Sequence, residues 1–121
     1  MLTESKKTSA QETIDCLVKK VNAKTEHIKD YNKAIQFIFT DAEPYWIKIT
    51  EGKVEKVEKV NRKKDAAVTV TSSVETLQKI LDGKINSVQA LITRKVKVDG
   101  PILVIRELRQ KVLGDFKYQS D

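Results

Sequence analysis

Residues 67–112 read AVTVTSSVETLQKILDGKINSVQALITRKVKVDGPILVIRELRQKV, and the order of elements in this stretch decides the fold. AVTVT at 67–71 alternates valine with small residues, the period of a strand. Ser72 stands three residues before Glu75, the spacing of a capping box, and Val74, Leu77, Ile80 and Leu81 then form one helical stripe that Gly83 ends. The turn GKIN at 83–86 leads to a short helix from Ser87 that offers Val88, Leu91 and Ile92, after which Val96 and Val98 share one face of a strand. Pro101 opens a last helix over 101–113, in a first turn where its missing N–H costs little. On that helix Ile102, Val104, Ile105, Leu108, Val112 and Leu113 cover about half the circumference, with Leu103 outside the arc. Such an arc is wider than a helix resting on a sheet needs. It is either a broad core contact or the wall of a cavity. Arg109 projects within it, between the directions of Ile105 and Ile102, so its guanidinium either snorkels to water or meets an anion.

Upstream of this stretch the pattern is a helix followed by a β-hairpin. Ser9 and Glu12 have capping-box spacing, and Ala10, Ile14, Leu17, Val18 and Val21 fall in one stripe, which predicts an amphipathic first helix. Residues 25–31 suggest a second, short helix. From Ala34 the period becomes two: Ile35, Phe37 and Phe39 face one way, and Gln36, Ile38 and Thr40 the other. Tyr45, Ile47 and Ile49 repeat the pattern opposite Trp46, Lys48 and Thr50, and Glu51-Gly52 turns the chain into a third strand over 53–60. There Val54, Val57 and Val60 are three apart, which implies a bulge on a basic edge strand. Trp46 lies on the face opposite Tyr45, and the favoured reading packs it beneath the first helix.

A chain of 121 residues, 40% apolar and 33% charged, has room for one core and falls among globular proteins. Residues 1–8 read as a loose tail and 9–121 as one domain without a linker. The longest uninterrupted apolar run, 102–105, is far below the ~20 residues of a membrane span, and the N-terminus lacks an apolar signal stretch. With Cys16 alone no internal disulfide forms, in keeping with a reducing, cytoplasmic compartment. The net charge of +6 is uneven: residues 53–64 carry Lys53, Lys56, Lys59, Arg62, Lys63 and Lys64 against Glu55 and Glu58. The stretch is a solvated edge, or a transient contact for an anionic membrane. No aromatic residue is interleaved for base stacking and no helix-turn-helix or RNA-recognition signature occurs, so nucleic acid is not an expected partner.

Residues that could carry catalysis are sparse. His27 and Cys16 are the only His and Cys, too few for a clustered zinc site; no Ser sits in a nucleophile motif, and no glycine cluster cradles a phosphate. No catalytic residue, metal or cofactor is therefore expected, and Cys16 reads as a passive small side chain.

The run of strand, capped helix, "GKIN" turn, short helix, "KVKVDG" strand and apolar closing helix resembles the sterol-carrier-protein (sterol-binding) domain family, over about residues 34–113, most sharply at 82–86 and 96–101. Two departures from the family pattern are the basic character of 53–64 and Pro101 after "DG". The resemblance implies an α+β fold, with a five-stranded, largely antiparallel sheet and helices packed on one face around an apolar tunnel. It implies non-catalytic binding and intracellular transfer of a sterol, fatty acid, acyl-CoA or phospholipid. The chain lacks the S-K-L ending of some family members, which points away from the peroxisome. On this reading the lipid-binding residues are Phe37, Phe39, Tyr45, Ile47, Ile49, Leu77, Leu81, Leu91, Ile102, Ile105, Leu108 and Arg109, around a volume of ~300–1,000 Å³. The alternatives are a structural or dimerisation module without ligand and, lowest, a small enzyme acting on a lipid thioester.

Overall fold

The computed structural model describes residues 9–60 and 65–113. Helix α1 (Ala10–Ala23) is followed by a 3₁₀ turn at Thr25–His27, strands β1 (Lys33–Phe39), β2 (Tyr45–Thr50), β3 (Lys53–Lys59) and β4 (Val68–Ser72), helices α2 (Val74–Leu81) and α3 (Ser87–Ile92), strand β5 (Lys97–Asp99) and helix α4 (Ile102–Val112). The sheet order is β3-β2-β1-β4-β5, with β1 and β4 parallel and every other neighbouring pair antiparallel. The α+β class and the five-stranded sheet are those implied by the sequence. The tail at 1–8 lies outside the described residues.

Register explains which side chains meet. Directly paired residues share a face, so Val68, Ile35, Ile47 and Val57 form one row across the sheet, and Val98, Val70, Phe37 and Tyr45 form the next. These rows face the helices, and all but exposed Val57 and partly buried Val98 belong to the buried core. The opposite face is not bare. Gln36, Thr69 and Trp46 are buried there, and the Trp46 indole N–H donates to the Asp65 carbonyl at 2.7 Å. Trp46 is thus packed, but on the face away from α1, with its indole against Asp65. Its position one residue out of phase with Tyr45 and Ile47 requires this.

Local chemistry sets the boundaries. Ser9 and Glu12 form the capping box of α1: Glu12 N donates to Ser9 Oγ at 3.1 Å and Ser9 N to the Glu12 carboxylate at 2.9 Å. At α2 the cap is Ser73, one residue later than the sequence spacing indicated, because Ser72 remains in β4; Ser73 Oγ accepts from Thr76 N and no Glu75 box forms. The expected second helix over 25–31 shrinks to the single 3₁₀ turn. The β2–β3 turn has φ 53° at Glu51 and 79° at Gly52, the left-handed pair that a two-residue hairpin turn requires. A Cβ on Gly52 would lie 2.6 Å from the Ile28 carbonyl oxygen, so the turn is seated against the segment after α1. The bulge is present too: Lys48 pairs with Lys56 and Ile49 with Val54, leaving Glu55 as the extra residue on edge strand β3.

Candidate functional site

Between the helices and the sheet lies an apolar cavity of about 200 Å³. The floor is sheet: Ile35 and Phe37 on β1, Ile47 on β2, Val70 on β4 and Val98 at the β5 edge, all from the two rows described above. Leu17 and Val21 of α1 and Leu77, Ile80 and Leu81 of α2 close one side. Val88 and Leu91 of α3, with Ile102, Ile105 and Leu108 of α4, close the other. Ser87 and Arg109 are the polar residues among the described lining. Arg109 is half-buried, so its guanidinium borders an apolar space from the apolar arc of α4, where the helical wheel put it.

Of the residues read from the sequence as lipid-binding, Phe37, Ile47, Leu77, Leu81, Leu91, Ile102, Ile105, Leu108 and Arg109 border this one space. Phe39, Tyr45 and Ile49 do not. They share the strand face, but their volume is taken up by packing: the Phe39 and Tyr45 rings meet edge to face with centroids 6.2 Å apart, the Tyr45 hydroxyl donates to Gln11 Oε1 at 3.2 Å, and Ile49 is buried in the core. The lining of Leu17, Val21, Ile80, Val70, Val96 and Val98 was missing from the expected set, although the apolar stripes of α1 and α2 and the alternation of β4 and β5 had marked these positions as core. Strand pairing brings Val70 and Val98 to the cavity and helix packing brings Leu17, Val21 and Ile80, in both cases between segments distant in sequence, and periodicity carries no signal for that.

The wall made by α4 is tied down from outside. The Tyr31 hydroxyl donates to the Val104 carbonyl in the first turns of α4, and the ring is almost wholly buried. Burial first, and the nearby Glu107 carboxylate second, push the Tyr31 phenol well above its ordinary value. Across the molecule, Thr13 Oγ1 of α1 donates to Gln78 Oε1 of α2 at 2.9 Å.

A second, polar cleft of about 440 Å³ lies between the start of α2 and β5, where hydroxyls of Thr71, Ser73 and Thr76 meet Lys79, Arg94, Lys95 and Lys97. The basic edge strand behaves differently. Lys56 pairs with Glu58 at 2.9 Å and Lys59 with Glu43 at 3.3 Å, while Arg62, Lys63 and Lys64 lie outside the described residues. Among the described residues no cluster of His, Cys, Asp and Glu could hold a metal ion, and no helix is long and apolar enough to cross a membrane.

The profile of the SCP-2 sterol transfer family matches residues 13–112, an interval that takes in β1–β5 and the cavity lining from Leu17 to Val112. The chain belongs to the SCP-2 sterol transfer family. Its fold is shared with the stereoselective inverting sec-alkylsulfatase Pisa1 from Pseudomonas sp. (TM-score 0.74, 19% identity), a match that covers 87% of this chain and only 16% of that enzyme. It is also shared with sterol carrier protein 2 from Yarrowia lipolytica in its apo form (TM-score 0.60, 22% identity, 88% of this chain and 90% of that one). A third likeness is to sterol carrier protein 2 from Aedes aegypti in complex with the C16 fatty acid palmitate (TM-score 0.62, 18% identity, 88% and 96%). A search of curated protein sequences gave no match.

Proposed function

We propose that residues 9–121 form a non-catalytic lipid carrier that takes an apolar tail into the cavity between the sheet and the four α-helices, and hands it on inside the cell. The observation that supports this reading best is the composition of the cavity wall, which is hydrocarbon except at Ser87 and Arg109. A space so lined offers a lipid tail burial at roughly 25 cal/mol per Å² and offers water almost nothing to bond. Its volume of about 200 Å³ is below the ~300–1,000 Å³ typical of ligand pockets. Entry of a long tail therefore requires the helical walls to part, and on this reading the wall that moves is α4, whose Val104 carbonyl accepts the Tyr31 hydroxyl. Opened in this way the cavity becomes the tunnel that the family resemblance implies. Arg109, at the cavity and half-buried, is placed to pair with an acidic head group such as a fatty-acid carboxylate. A cytoplasmic site of action fits the single free thiol, Cys16.

Displacement of a fluorescent fatty acid by unlabelled fatty acid, acyl-CoA and sterol, followed by transfer between vesicles, tests the reading. Saturable uptake with displacement by at least one class is expected. Absence of uptake for every class would reject the carrier in favour of a structural or dimerisation module. Arg109→Gln is expected to weaken fatty-acid binding by about 1.5–3 kcal/mol, the range of a charged hydrogen bond, and to leave a neutral sterol unaffected. An equal effect on both ligands would assign Arg109 to snorkelling alone.

A further inference from the structure

Four apolar side chains of the described residues remain well exposed, and three of them stand beside the cavity: Ile92 at 69%, Leu103 at 65% and Ile102 at 45%. Ile92 follows cavity-lining Leu91 at the end of α3, and Leu103 follows cavity-lining Ile102 at the start of α4. The exposed pair therefore flanks the space from its two helical sides, with Ile102 reaching both the cavity and solvent. The charge around them is mainly basic: Glu107, four residues beyond Leu103, is paired with Lys111 at 3.5 Å, and Asp99 stands just ahead of α4. Residues 83–98 contain Lys84, Arg94, Lys95 and Lys97 and no acidic residue, and Arg106 lies three and four residues beyond Leu103 and Ile102, on the same side of α4. Arg94, Lys95 and Arg106 are exposed, and among the described residues none of them is in an ion pair.

Edge strand β3 lacks this combination. Its Lys56 and Lys59 are paired with carboxylates, which leaves Lys53 as its one described cation outside an ion pair, and it offers a single exposed large apolar residue, Val57, at 39%. Paired cations present little net field to an anionic surface, whereas unpaired cations beside exposed aliphatic side chains supply both terms of interfacial binding: attraction to head groups and burial at the acyl boundary.

From this contrast we propose that the α3–α4 face, with Ile92, Ile102 and Leu103 ringed by Arg94, Lys95 and Arg106, docks on an anionic lipid bilayer, so that the cavity loads and unloads directly against the membrane. The proposal rests on the carrier reading for its purpose but not for its test, since docking is measured without a cavity ligand.

Co-sedimentation of the full chain with phosphatidylcholine vesicles, with and without phosphatidylglycerol, is the experiment. Binding is expected only with phosphatidylglycerol present, and it should fall as salt rises. The variant with Arg94→Gln, Lys95→Gln and Arg106→Gln should bind about a hundredfold more weakly at low salt, from roughly fivefold per cation near the surface. Ile92→Asn with Leu103→Asn should weaken binding by about tenfold or more. The control with Lys53→Gln, Lys56→Gln and Lys59→Gln should retain binding. Fluorescent fatty-acid uptake in vesicle-free buffer should be unchanged in the α3–α4 variants, so a failure of docking and a failure of the carrier reading are told apart. Three results would overturn the proposal: unchanged vesicle binding in the α3–α4 variants, loss of binding in the β3 control alone, or a dimer of the native chain on native mass spectrometry that Ile92→Asn with Leu103→Asn dissociates.

Discussion

Two regions of the same sheet face are filled in opposite ways. Where α1 begins, over the β1–β2 hairpin, Ile14 is wholly buried, Phe39 and Tyr45 stack edge to face, and Gln11 accepts the tyrosine hydroxyl. Farther along the sheet, where α3 and α4 meet the ends of the α1 and α2 stripes over β1, β2, β4 and β5, mostly aliphatic side chains leave a cavity of about 200 Å³. The difference lies in how firmly the covering helices are held. A fourteen-residue α1, capped at its start and tied to α2 through Thr13 and Gln78, presses its stripe onto the strands. In the second region α3, capped by Asn86, has only six residues and β5 three, and α4 starts at Pro101 without a side-chain cap, held by the Tyr31 hydroxyl at Val104. Hydrophobicity alone does not close a core. Long elements in register close it, and a wall built of short elements leaves room for a guest.

If that contrast is right, the largest cost of a single change falls in the packed region. Ile14→Ala should destabilise by about 2–5 kcal/mol, because the surrounding side chains are too well held to collapse into the hole; denaturant unfolding measures it. Gly52→Ala comes next, at roughly 1–3 kcal/mol, since a Cβ there would meet the Ile28 carbonyl at 2.6 Å in a left-handed backbone.

In the loosely held region Tyr31→Phe should cost about 1 kcal/mol, the worth of one hydrogen bond. Its clearer signature is faster amide exchange confined to α4, and exchange that stayed unchanged there would break the claim that this hydroxyl holds the wall. The phenol also predicts a pH effect. Its folded value is raised, so its contribution to stability is complete below the ordinary tyrosine value of about 10 and is lost as pH climbs above it. Tyr31→Phe should flatten that alkaline decline. The smallest stability change, below about 1 kcal/mol, is expected for Leu91→Trp, which adds volume to existing space instead of overfilling a packed core. It should nevertheless abolish uptake of a fluorescent fatty acid.

Much of this architecture was legible in the residues. Ser9 with Glu12, the alternation at 35–39 and 45–49, Glu51-Gly52 and the three-residue valine spacing of β3 are local signals, and each led to the element or bulge observed. Local signals also misled by small steps: Ser72 and Ser73 are equivalent as caps until pairing with β1 keeps Ser72 in its strand. The candidate site was legible by face but not by depth. Phe37 and Phe39 look alike in sequence, yet Phe37 pairs with Val70 beside the cavity, whereas Phe39 is filled in by Tyr45. Which part of a buried face is left empty depends on how helices remote in sequence are anchored.

The most direct test adds ¹³C-labelled palmitate to protein labelled at its methyl and aromatic positions and records intermolecular nuclear Overhauser contacts. Contacts from the acyl chain to Leu91, Val98, Ile105 and Leu108, with none to Ile14, Phe39 or Tyr45, are predicted. Contacts centred on the packed region, or saturating palmitate without contacts to any of the four cavity residues, would contradict the claim that the space under α3 and α4 receives the lipid.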